Sequence, residues 1–275
     1  MVKQKQKLET GMEITRLIFN NINEVIEYIK INKINTKCII PKSIFLSSEI
    51  TGTKSFEQAM EYLKYGWEHK TKEIKRELKE SFKTEKVVKT KNIYDVAGFQ
   101  CSVPRYLQGI PDNMINKKQI KQTEKIITIN KDISFSADYK AKQIQKECVK
   151  VLQLVNRLEK QGYRIKLNIV LNVKYIRNNR YKNISIKVCI KQSSQRLNLK
   201  QISFPLCNPS MLRRILFAVC ERIEELNFKD FYDKQHYGLV ERNRFFLKQI
   251  YKNEILIPAE VQEKEIIDIE KYRLK

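Results

Sequence analysis

The sequence predicts an α/β or α+β protein. A helical N-terminal part precedes a sheet built around a long antiparallel hairpin, and helices cover that sheet. Three observations lead there. Tyr163, Ile165, Leu167, Ile169, Leu171, Val173 and Tyr175 alternate with mostly polar residues. After the polar turn Arg177-Asn178-Asn179-Arg180 the alternation resumes at Ile184, Ile186, Val188 and Ile190. Period two marks strands, and the short polar break between them marks a hairpin. Apolar stripes at helical spacing flank the hairpin: Ile144, Cys148, Val151, Leu152, Val155 and Leu158 before it, and Met211, Leu212, Ile215, Leu216, Val219, Ile223 and Leu226 after it. Helices that carry such stripes bury them against a sheet.

The elements follow in order. Residues 1–10 are polar and read as a frayed end. Ile14, Ile18, Ile22, Val25, Ile26 and Ile29 suit one helix over 12–31. Cys38 to Ile40 and Ile44 to Leu46 suggest one or two short strands, with a turn at Thr51-Gly52. Ser55 and Gln58 have capping-box spacing, opening a helix with Phe56, Ala59, Met60, Leu63 and Trp67 on one face. Gly66 interrupts it, and Lys70 to Phe82 resumes a charged helix through Ile74 and Leu78. Residues 92–116 are cut by Gly98, Pro104, Gly109 and Pro111, yet rich in apolar and aromatic residues. They read as a long packed loop of the kind that carries function. Ile126 to Ile129 is a short buried strand, and the helix over 138–160 ends at Gly162. Asn208 as N-cap and Pro209 at the first helical position open the last clear helix. Residues 237–253 suit a basic helix, and 263–275 are charged and peripheral. The chain thus divides into 1–120, 121–230 and a tail, 231–275.

Composition narrows the function classes. Lys and Arg number 54 against 31 Asp and Glu, a net charge of +23 on 275 residues. Such a field draws polyanions, and nucleic acid is the usual one. Lysine outnumbers arginine 40 to 14, so coding bias accounts for part of the basicity. No run of eighteen apolar residues predicts a membrane span, and no signal-peptide pattern follows the basic N-terminus. The six cysteines form no CxxC pair, which predicts a reducing cytoplasm without zinc or disulfides. With two histidines and no Gly-rich loop, GxSxG or HExxH motif, catalytic readings are poor.

Three clusters could carry chemistry. Arg164, Lys166, Asn168, Asn172 and Lys174 share the polar face of the first hairpin strand, and Arg177, Arg180 and Lys182 lie at or near its turn. A basic ribbon of this kind can follow phosphates; a solvent-facing sheet surface has the same pattern. Arg213-Arg214 open a helix whose dipole they oppose, so an anionic ligand or an acidic neighbour such as Glu221 to Glu225 should answer them. Asp132, Ser134 and Ser136 place oxygens at alternate positions after a strand, which suits Mg²⁺; a polar turn with a helix cap reads the same way. The cofactor expectation is therefore none, or Mg²⁺.

The D-x-S-x-S pattern resembles the metal site of von Willebrand factor A-type domains, which also require a loop threonine and a later aspartate. No threonine follows Thr128, although Ser203 and Asp230 fall in the right order. A wider resemblance spans about residues 18–226: Thr51 to Ala59 with Gly66-Trp67, Val96 to Phe99, Val103 to Met114, Leu158 to Arg164, Leu197 to Phe204 and Asn208 to Arg222. These segments resemble a family of uncharacterised proteins from tailed bacteriophages and prophages. The resemblance implies a phage origin and a place in the host cytoplasm or virion. It transfers no catalytic role. The expected function is a non-enzymatic protein that binds nucleic acid or a nucleoprotein complex through basic surfaces. The alternatives are a virion-associated or protein-interaction module, and a metal-dependent enzyme using Asp132, Ser134 and Ser136.

Overall fold

The computed structural model describes residues 1–8, 13–34, 48–80, 90–119, 125–135, 139–177, 180–224, 232–233, 236–237 and 239–259. The chain begins with β1 (Val2–Lys7) and β2 (Glu13–Phe19), paired antiparallel. The expected frayed end is thus an edge strand, and the first half of the expected helix is a strand. Ile14 and Leu17 bury on opposite faces of β2, which a helix stripe cannot do. Asn21 then caps α1 (Ile22–Ile31), its Oδ1 accepting the Glu24 N–H at 3.0 Å.

A turn of helix, α2 (Ser48–Thr51), precedes α3 (Phe56–Tyr65) and α4 (Glu68–Glu80). The strands expected before Thr51 and the Phe82 position lie largely or wholly outside the described residues. Ser55 caps α3 through Gln58 N at 3.1 Å, and Gly66, at φ +92°, turns the chain into α4. A small excursion follows: β3 (Thr90–Asp95), β4 (Gln100–Cys101), α5 (Val103–Leu107) and β5 (Met114–Gln119). Then come β6 (Ile126–Asp132), α6 (Ala141–Lys160), β7 (Arg164–Arg177) and β8 (Arg180–Lys191). The predicted hairpin is β7–β8, antiparallel throughout.

Next is α7 (Leu199–Cys207), followed by a π-helical stretch, Met211–Leu216, running into α8 (Phe217–Cys220). Asn208 Oδ1 accepts Ser210 N–H at 2.9 Å, the capping role its position predicts. Short strands β9 (Tyr232–Asp233), β10 (His236–Tyr237) and β11 (Leu239–Val240) precede α9 (Arg244–Ile250) and β12 (Ile255–Ile257). The basic helix expected over 237–253 is therefore confined to seven residues, capped by Asn243.

The main sheet runs β1-β2-β8-β7-β6-β12, with β11 added to β7. Its β2–β8, β7–β6 and β6–β12 pairs are parallel. One face carries the large core: alternate residues of β7 and β8 from Ile165 to Ile190, packed by α1, α3, α4, α6, α7 and α8. A smaller cluster on the other face joins Ile14, Val170, Phe246, Leu247, Ile250, Tyr251 and Leu256, and α9 covers it. The N-terminal part and the C-terminal tail both give strands to this sheet.

Candidate nucleic-acid interface

The polar face of the hairpin is covered at its centre, so it is neither an open ribbon nor a solvent-facing surface there. Val170, between Asn168 and Asn172, nucleates the smaller apolar cluster under α9. The polar groups around it bond to one another. Asn168 Nδ2 donates to Asn130 Oδ1 at 2.9 Å, and Asn130 Nδ2 donates to Glu254 Oε2 at 2.7 Å. Tyr251 Oη donates to Asn172 Oδ1 at 2.8 Å and lies 3.0 Å from Ser185 Oγ. Lys187 pairs with Glu254 at 2.8 Å. Burial lowers the Lys187 pKa, Glu254 raises it, and Arg16 and Lys166 push it down again. Two further cations thus act on Lys187 beside its carboxylate partner. Among the described residues, the buried Asn168 Oδ1, Asn172 Nδ2 and Arg16 Nε have no partner.

The other sequence-predicted residues scatter. Arg164, Lys166 and Lys174 are half-buried along the same strand face. Lys182 pairs with Glu13 at 2.7 Å. Arg177 and Arg180 pair through their backbones at the end of the hairpin; their side chains lie outside the described residues. Arg213 is buried and Arg214 half-buried, and both turn to backbone and hydroxyl oxygens, with the Glu57 carboxylate acting on Arg214. Arg213 donates to the Ile50 carbonyl and, at 3.4 Å, to the Tyr139 carbonyl. Arg214 donates to Thr51 Oγ1 at 3.1 Å and to the Thr53 carbonyl at 3.0 Å. They pin the 50–53 segment, and burial lowers the pKa of both.

Asp132 and Ser134 bond to each other. Ser134 N and Oγ both donate to Asp132 Oδ1, at 2.8 and 2.6 Å. Burial pushes the Asp132 carboxyl up. Ser136 and Asp230 lie outside the described residues, and Ser203 Oγ is spent 3.1 Å from Thr71 Oγ1. Among the described residues, no group of three or more His, Cys, Asp or Glu could hold a metal ion.

The excursion at 90–119 looks different. Its strands form an antiparallel sheet of order β3-β5-β4, with Tyr94 opposite Ile115 and Asn92 opposite Lys117. Paired residues share a face and alternate residues repeat it, so Tyr94 and Lys117 point the same way. The Arg105 guanidinium, brought in by α5, lies 4.2 Å from the Tyr94 ring centroid. Lys117 Nζ lies 5.2 Å from the Phe99 ring centroid. Two rings and two cations therefore occupy one patch. Both rings are open, Tyr94 at 51% exposure and Phe99 at 59%. Val96, Val103, Tyr106 and Leu107 are exposed beside them.

The expectation that this segment packs is overturned: no side chain from 91 to 118 is buried. The reason is geometric. Among the described residues, this single layer of strands two to six residues long has no second layer to close against. Apolar composition argues for burial only where something can cover it. The signal that could have found the site is the spacing of Tyr94, Phe99 and Tyr106 among Lys91, Arg105 and Lys117. The arrangement offers π-faces for flat rings, and cations for charge beside them.

No curated protein and no solved structure matches the chain. A family match does extend over nearly its whole length, covering the main sheet, its helices and the exposed 90–119 sheet alike. By that match, over residues 3–271, the chain belongs to DUF7192, described as a domain of unknown function.

Proposed function

We propose that this protein binds single-stranded nucleic acid without catalysing a reaction on it, through the sheet of residues 90–119. The observation that carries the reading is the patch of Tyr94, Phe99, Arg105 and Lys117. Unstacked bases stack on exposed rings whatever their sequence, while cations between the rings meet the phosphates. The net charge of +23 adds a long-range pull toward such a strand. The phage or prophage resemblance fits a protein acting on replicating or packaged nucleic acid, in the host cytoplasm or with the virion.

Fluorescence anisotropy with labelled oligo(dT) and oligo(rU), titrated at low and raised salt, tests the reading. Binding that weakens with salt supports it. No binding at low salt overturns it. A second reading, a protein-interaction or virion-associated module, draws on the same exposure of Val96, Val103 and Leu107. Co-purification of a capsid, tail or host protein that is lost on Leu107→Asp favours that reading.

A further inference from the structure

A pocket of about 170 Å³ opens where β2 and β8 end. The two strands are parallel: β2 ends at Phe19 opposite Val188, and β8 runs three residues further to Lys191. Ligands of layered α/β folds collect beyond the carboxyl ends of such strands. The lining is unusual in composition. Asn20, Asn21, Asn23, Gln192, Gln195 and Gln201 supply six carboxamides, and no carboxylate lines the pocket. Ile22, Leu63 and Ile190 supply aliphatic walls.

The two lysines of the lining differ. Lys191 Nζ pairs with Glu159 at 2.6 Å and donates to the Ile165 carbonyl at 3.0 Å. Lys64 Nζ sits 4.9 Å from the Tyr65 ring centroid. The α1 N-terminus is also answered: Asn21 Oδ1 takes the Glu24 N–H, and the Glu24 carboxylate accepts from Asn20 N at 2.8 Å. Of the two lysines that line the pocket, Lys191 is therefore answered within the fold, while the exposed Lys64 meets only a ring face.

The carboxamides are another matter. Gln192 uses its Nε2 on the Asn20 carbonyl at 2.9 Å, leaving Oε1 as an acceptor. Gln195 uses its Oε1 on Gln192 N at 3.0 Å, leaving Nε2 as a donor. Asn23 and Gln201 spend neither end of their amides among the described residues. What remains is a set of neutral donors and acceptors between aliphatic walls.

We propose that this pocket binds an uncharged nucleobase. Asn and Gln amides pair in two places with a base edge that presents a donor beside an acceptor, as adenine does. The volume falls below the roughly 300–1,000 Å³ of drug-sized ligand sites, which suits one flat ring system. The absence of an aromatic or acidic residue from the lining argues against a sugar. The proposal rests on different residues from the 90–119 patch, so either can fail alone.

Saturation-transfer NMR with adenosine on the full chain tests it. Transfer to the base protons of adenosine is expected at millimolar ligand, with at least a tenfold loss of affinity in Asn23→Leu and in Gln201→Leu. Both positions are exposed, so the fold tolerates either change, and each variant checks the other. Oligo(dT) binding should be unchanged in both. No transfer from adenosine, parental affinity in both variants, or displacement of adenosine by glucose overturns the proposal.

Discussion

Replacing both ring-face cations, Arg105→Gln with Lys117→Gln, makes a quantitative demand on the single-strand reading. Each phosphate contact on a single strand contributes about −0.7 to the slope of log K against log salt. Two contacts therefore account for about −1.4, and the double variant should be flatter by that amount. Tyr94→Ala and Phe99→Ala act differently. Stacking one base contributes about 1–3 kcal/mol, so each should weaken binding about five- to 150-fold with the slope unchanged. Neither change should lower thermal stability, because both rings are more than half exposed. Anisotropy titrations of a labelled 20-mer at four salt concentrations separate the two effects. Duplex of the same sequence should bind at least tenfold more weakly, since its bases are not free to stack on the rings. Equal affinity for duplex, or loss of slope in the ring variants with none in the cation variant, refutes the argument.

Other consequences are simpler to read. A Cβ at Gly98 would strike the Ile115 carbonyl, so Gly98→Ala should abolish strand binding while the urea midpoint of the main body holds. Tyr251→Phe removes a donor from Asn172, whose Nδ2 already lacks a partner, and should cost about 1–3 kcal/mol in urea unfolding. Burial raises the Asp132 carboxyl pKa, so the folded state favours its protonated form. The stability this gives is present below the unfolded-chain value of about 3.9 and is lost as pH rises through the folded value. Asp132→Asn should therefore gain stability relative to the parent as pH climbs through that window, followed by thermal melts. A gap that does not change with pH removes the basis for that expectation.

The β7–β8 hairpin and the α6 helix were legible because each repeats one period over many residues, and the core faces follow from it; β6 was legible only as a short apolar run. Other features were not. Ile14, Ile18 and Ile22 fit a helical stripe by accident, because β2 buries both its faces and so loses strict alternation. The pairing of β2 with β8 joins residues about 170 apart, a relation no local pattern carries. The cover that α9 gives Asn168 and Asn172 is equally non-local: a polar face reads as wet until a distant segment is known to lie on it. Arg213 and Arg214 looked like ligand groups because their acceptors, mostly backbone carbonyls of residues far away in sequence, are invisible to side-chain patterns. The candidate interface was half legible. Its residues drew notice as a functional loop, but composition pointed to a packed segment, and only the single-layer geometry exposes it.

The placement of β1–β2 and β12 at the two flanks of the main sheet bears on how the protein is made. During synthesis, β2 emerges early but has no parallel neighbour until β8 is complete at Lys191. At about 5–20 residues per second, that leaves a wait of roughly ten to thirty-five seconds. The opposite flank stays open longer, until Ile257 is available to join β6. For that interval the nascent sheet has unpaired edges, the state most open to pairing with other chains. The alternating lysines of β1, Lys3, Lys5 and Lys7, lie along the flank beyond β2. Their mutual repulsion between copies would keep nascent chains apart while each waits for its own later strands.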